Sequence, residues 1–133
     1  MANGSSAQAL LHIDWILVVS AAWLLVGAAG VAALRRLAFV ARVLFPLGGA
    51  LGLVLFGLAV SALGDTPEVA VLPIGLPSLP FHLRLDSLSA YFLMVIGAAT
   101  AGISIFAAGY FRQGEGTPPG LLCLEYHVFL ASM

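Results

Sequence analysis

Apolar residues occupy this chain in four blocks separated by short polar stretches. The first block, Trp15 to Leu34, is 20 residues broken only by Ser20 and is stopped by Arg35 and Arg36. A basic linker, Arg35 to Arg42, leads to the second block, Val43 to Leu63, and the third, Leu88 to Phe111, runs 24 residues without a formal charge. At about 1.5 Å of rise per residue, each is long enough to cross a hydrocarbon layer of about 30 Å. The pattern therefore predicts transmembrane helices at about 13–34, 43–63 and 87–111. A fourth block starts at Leu121 and reaches Met133. It would cover only about 20 Å and reads as a spanning helix cut short, at 121–133.

Between the second and third blocks the period changes. Residues 65–86 carry prolines at 67, 73, 77 and 80, and Gly75 to Ser78 has the composition of a turn. In the second arm Phe81, Leu83 and Leu85 alternate with His82, Arg84 and Asp86, as in a half-buried strand. This predicts a hairpin-like segment whose prolines leave the pairing irregular and confined to an edge. Asp86, Ser87 and Ser89 then supply acceptors for the first free N–H groups of the third helix, and Asp86 puts a negative charge at the positive end of its dipole. The expected fold class is an all-α integral membrane protein: three full transmembrane helices, a truncated fourth, and a short outward extended or hairpin segment.

Composition agrees. Of 133 residues, 62% are hydrophobic and 8% charged, and the mean hydropathy is +1.10. A soluble domain carries roughly 25% charged residues, so the lipid bilayer is the expected solvent. Five arginines, no lysine and a net charge of −1 exclude a nucleic-acid partner, which requires clustered cations. The first ten residues lack the basic region of a secretory signal, so the first block is kept as a mature helix. Arg35, Arg36 and Arg42 in one loop and Arg112 in another, against Arg84 alone on the hairpin side, place the N-terminus and hairpin outside an inner (plasma) membrane.

Few side chains invite chemistry. Trp15 suits an interfacial anchor, and Trp23 falls mid-span, where it would pack on a helix or on lipid. His12 and Asp14 read as a solvated flank, and His82 as a polar face residue, since no metal ligands flank it at suitable spacing. Pro46 is expected in the first turn of the second helix, where its missing N–H costs nothing. Gly48 with Gly52, and Ala98 with Gly102, are small-residue pairs suited to close helix approach. Cys123 has no disulfide partner in the chain and reads as a small buried residue. Glu125 and His127 lie near the start of the fourth helix, where an interfacial location is expected. No catalytic, cofactor-binding or metal-binding residue is assigned, and no cofactor.

Three stretches carry a resemblance. LRLDSLSAYFLMVIG from Leu83, GYFR from Gly109 with the Gly- and Glu-containing turn after it, and the closing VFLASM resemble the N-terminal part of proton-translocating antiporter-like membrane subunits. These include hydrogenase-4 component B, the nearest in pattern, the large antiporter-like subunits of complex I, and Mrp-type antiporters. The resemblance implies an N-terminal scaffold fragment of a proton-translocating subunit, assembled with other membrane subunits of a hydrogenase or NADH:quinone oxidoreductase, an oxidoreductase complex. The ion path of such proteins uses a Glu and several Lys on later helices. None of those positions is matched here, so no pump residue is carried over, and Glu125 is not given that role. The alternative is a self-contained small structural membrane protein that assembles through its Gly-rich helices without transport.

Overall fold

The computed structural model describes residues 11–76, 79–110 and 117–133. It is mostly helical, with a small two-stranded sheet. In chain order the elements are α1 (His12–Ala32), α2 (Leu37–Ala62), β1 (Glu68–Leu76), β2 (Leu79–Leu85), α3 (Ser87–Tyr110) and α4 (Pro119–Ser132). The first three helices, of 21, 26 and 24 residues, are long and apolar enough to cross a membrane.

The second helix starts six residues before the expected Val43. Leu37 to Ala41 are apolar, Val40 and Ala41 are buried, and Arg42 is simply carried outward on the helix surface, so the expected linker shrinks to the turn around Arg35 and Arg36. Pro46 therefore lies well inside α2 and not in its first turn. In a regular α-helix its ring would meet the carbonyl of Arg42, four residues back. The chain widens there into a π-helical turn, Val40–Leu44, and Phe45 donates its N–H to the carbonyl of Val40. At the other end of the chain, α4 opens on Pro119, two residues before the expected start, because a proline is favoured at the first helical position.

The helices pack as two antiparallel pairs, α1 with α4 and α2 with α3, joined where α1 crosses α2. Glycines set the closeness of both pairs. A methyl built on Gly52 would lie 3.0 Å from the carbonyl oxygen of Gly97, and one on Gly97 would lie 2.7 Å from that of Gly52. In the other pair, a methyl on Gly30 would lie 2.9 Å from the oxygen of Gly120. Gly48 and Gly52 thus serve close packing as expected, but Ala98 and Gly102 do not. Both are exposed, and the buried face of α3 is Ala90, Gly97, Thr100, Ala101, Ser104 and Ala107. The helices are apolar on every side, so no amphipathic stripe marks which small residues turn inward.

β1 and β2 form the expected antiparallel hairpin, with Glu68 opposite Leu85, Ala70 opposite Leu83 and Leu72 opposite Phe81. The register slips between Leu72 and Gly75, in the part of β1 that contains Pro73. Leu85 is buried with Ile13, Ala62 and Ala90, and Ala70 and Leu83 pack on that cluster. Val69 and Val71, one residue out of phase, are exposed.

Candidate functional site

Two places in the molecule gather polar side chains. One is mid-bundle, centred on His127; the other is the hairpin end, centred on Glu68.

His127 is fully buried, packed against α1 and α2. Gly27 of α1 and Gly48 of α2 make room for it: a methyl on Gly27 would lie 3.3 Å from its Cβ, and a methyl on Gly48 would strike Nε2. Nδ1–H donates to the carbonyl of Cys123 at 2.7 Å, with Cys123 Sγ 3.4 Å away. Nε2 is then the acceptor nitrogen, and it has no partner in the structure; nor does the buried hydroxyl of Thr100. Around this pair, Trp23 Nε1–H donates to the Gly48 carbonyl at 3.2 Å, and Tyr126 O–H reaches the Thr100 carbonyl at 3.3 Å, with Ser104 Oγ 3.0 Å from the same phenol oxygen.

These hydrogen bonds link α1 to α2 and α3 to α4 across otherwise apolar surfaces, as polar side chains do inside membranes. No described Asp, Glu or Arg is buried, so the imidazole faces no carboxylate to orient it and no charge to exchange protons with. Glu125 is exposed, beside a cavity of about 410 Å³ lined by Phe45, Phe106, Tyr110 and Tyr126. A signal for His127 did exist in the sequence. Gly120, Cys123, His127 and Leu130 are the buried residues of α4, and their three-and-four spacing is that of a packed helical seam.

At the hairpin end, Glu68 reaches the start of α1. His12 Nδ1–H donates to Oε1 at 2.9 Å, and the Ile13 N–H donates to Oε2 at 3.1 Å. Asp65 Oδ2 stands 3.7 Å from the same His12 nitrogen. Burial pushes the Glu68 carboxyl up, but the bonds from His12 and Ile13 outweigh it and hold the group below the usual carboxylate range. His12 is therefore not a merely solvated flank. Asp14 also works locally, accepting the Leu11 N–H at 3.0 Å. Glu68 is 55 residues from Ile13, and nothing in the local sequence marks the contact.

Asp86 caps α3 as expected. Its Oδ1 accepts both the Ser89 N–H and the Ser89 hydroxyl at 2.9 Å. The backbone bond from Ser89, then the hydroxyl, hold its carboxyl below the ordinary value. Arg84 Nε lies 4.0 Å from Asp86 Oδ2, and exposed His82 donates Nδ1–H to the Pro80 carbonyl at 2.9 Å. Trp23 is buried against α2 and Trp15 is half exposed on the first turn of α1. Below the hairpin lies an apolar groove of about 560 Å³, walled by Ile16 and Leu17 of α1, Leu83 of β2, and Phe92, Leu93 and Ile96 of α3.

Arg112 and most of the turn after α3 lie outside the described residues. Among those described, no three His, Cys, Asp or Glu side chains come together as a metal site would require. Comparison with protein-family models, with curated proteins and with solved structures found no match.

Proposed function

We propose that this chain is the N-terminal scaffold part of a proton-translocating antiporter-like membrane subunit, in a hydrogenase-4-type or NADH:quinone oxidoreductase-type complex. It lies in the inner (plasma) membrane as three spanning helices and the shorter α4, with its N-terminus and hairpin outside. Its work is to brace neighbouring ion-conducting helices, not to carry the ion. The observation behind this reading is the division of the molecule. Backbones meet through Gly30, Gly52, Gly97 and Gly120, the described charged side chains are all kept from the interior, and the one buried ionisable residue on the helical seams besides Cys123 and the partly buried Tyr126 is His127. A proton path needs a row of exchanging groups joined by water, and one imidazole pressed against a glycine is not a row. The resemblance from Leu83 to Met133 supplies the family.

The reading is tested in two steps. Tagged chain, solubilised gently from its own cells, is expected to migrate with a larger membrane assembly that carries iron–sulfur signals in electron paramagnetic resonance. Migration alone would argue against the assembly. Purified chain in liposomes with a pH-sensitive dye inside and an imposed potential is expected to behave like empty liposomes. A potential-driven response abolished by His127→Gln or Glu125→Gln would mean that the chain holds a working ion site.

A further inference from the structure

We propose that the β1–β2 hairpin is a lid over the apolar groove, hinged on α2 and α3 and latched to α1 by Glu68. The argument starts from how the hairpin is attached. At its base it is covalently joined to two helices, through the exposed residues Gly64 to Pro67 after α2 and through Asp86 to α3. To α1 it has no covalent link. Among the described residues, the hydrogen bonds from the hairpin to α1 converge on one carboxylate: Glu68 takes the His12 ring on one oxygen and the Ile13 N–H on the other, while Asp65 of the linker stands 3.7 Å from the same ring.

That arrangement has the properties of a latch. The Ile13 N–H belongs to the first turn of α1, where backbone donors have no helical acceptor and the dipole favours a negative charge. The bond is therefore charge-assisted and directional, and it weakens when the carboxylate's charge is removed. The remaining contacts are apolar packing of Ala70, Leu83 and Leu85 on Ile13 and its neighbours, which slides without a preferred geometry. Beneath the inner face, Leu72, Phe81 and Leu83 roof the groove between α1 and α3. Swinging the hairpin off α1 opens that roof while leaving the joints to α2 and α3 intact.

The charged groups around the latch are few. His12 faces it from α1, Asp65 approaches His12 from the linker, Asp14 is occupied by the Leu11 N–H, and Arg84 and Asp86 stand 4.0 Å apart at the junction of β2 with α3. Replacing Glu68 by its neutral amide removes the charge and keeps the shape.

The test uses the full chain in lipid nanodiscs with one added thiol, Ala70→Cys, on the inner face of β1. The native Cys123, on α4 and fully buried against Gly30 of α1, reports on the bundle in the same molecule. Maleimide labelling of residue 70 is expected to accelerate about tenfold on adding Glu68→Gln, the scale of losing a charged hydrogen bond in local opening. His12→Ala is expected to act in the same direction, and Cys123 to stay protected in both. Unchanged labelling at residue 70 would overturn the latch. Acceleration at both thiols would show that Glu68 holds the helices together, and would overturn the lid.

Discussion

The middle of the bundle and its hairpin end are held by opposite means. Mid-bundle, helices touch backbone to backbone at Gly52 with Gly97 and at Gly30 with Gly120, and buried polar atoms such as His127 Nε2 go without a partner. At the hairpin end the surfaces stand apart over a groove of about 560 Å³, and a few charged hydrogen bonds, satisfied on both sides, keep them in register. Lipid tails are as apolar as the helix surfaces, so inside a bilayer association must come from close packing, which only small residues permit. Where the chain leaves the apolar zone, charge can be used, and it is. The first region should answer most to added volume, and the second to removal of charge.

The largest effect is expected from Gly120→Ala. Its added methyl would be driven into the Gly30 carbonyl and to 2.6 Å from the Leu34 Cα, both backbone atoms that cannot turn away. A loss at the upper end of the overpacking range, about 3 kcal/mol, should appear in detergent unfolding. Full stability of this variant would mean that α1 and α4 are not in contact as described.

Next comes Glu68→Ala, expected to cost roughly 1–2 kcal/mol for a charged hydrogen bond that is partly open to water. The pH dependence has a definite sign. Because the folded Glu68 is held below its ordinary value of 4.5, its contribution is present above that pH and is lost as pH falls through the folded value. Melting of the wild-type chain should therefore decline below about pH 4.5 by more than that of Glu68→Ala. Parallel curves would remove the latch from the account.

Asp86 should matter less, since it stays open to water. Asp86→Asn keeps an acceptor for the Ser89 N–H and should melt with the wild type, whereas Asp86→Leu should melt lower. Equal behaviour of the two would remove the capping argument. The smallest effect is expected at Gly102, where a methyl meets nothing within 4 Å. Gly102→Ala should be neutral or stabilising by about 0.5 kcal/mol, because alanine is the better helix former. A marked loss would place Gly102 in a contact that the bundle itself does not make.

Much of this is legible in the sequence alone. The three long helices follow from block length, the hairpin from alternation and prolines, and the cap at Asp86 from residues three positions apart. Each rests on forces that act within a few turns of chain: hydrocarbon thickness against rise per residue, the cost of burying charge, the free N–H groups of a helix start. What only the tertiary structure decided was which of several similar small residues turn inward, so that Gly97 packs and Gly102 does not, and that Pro46 is absorbed by a π-helical turn inside α2. It also decided that His127 is buried and that Glu68 reaches α1. Helices that are apolar on all faces carry no local mark of their partners. Their pairing is fixed only when distant backbones approach closely enough for a single methyl group to matter.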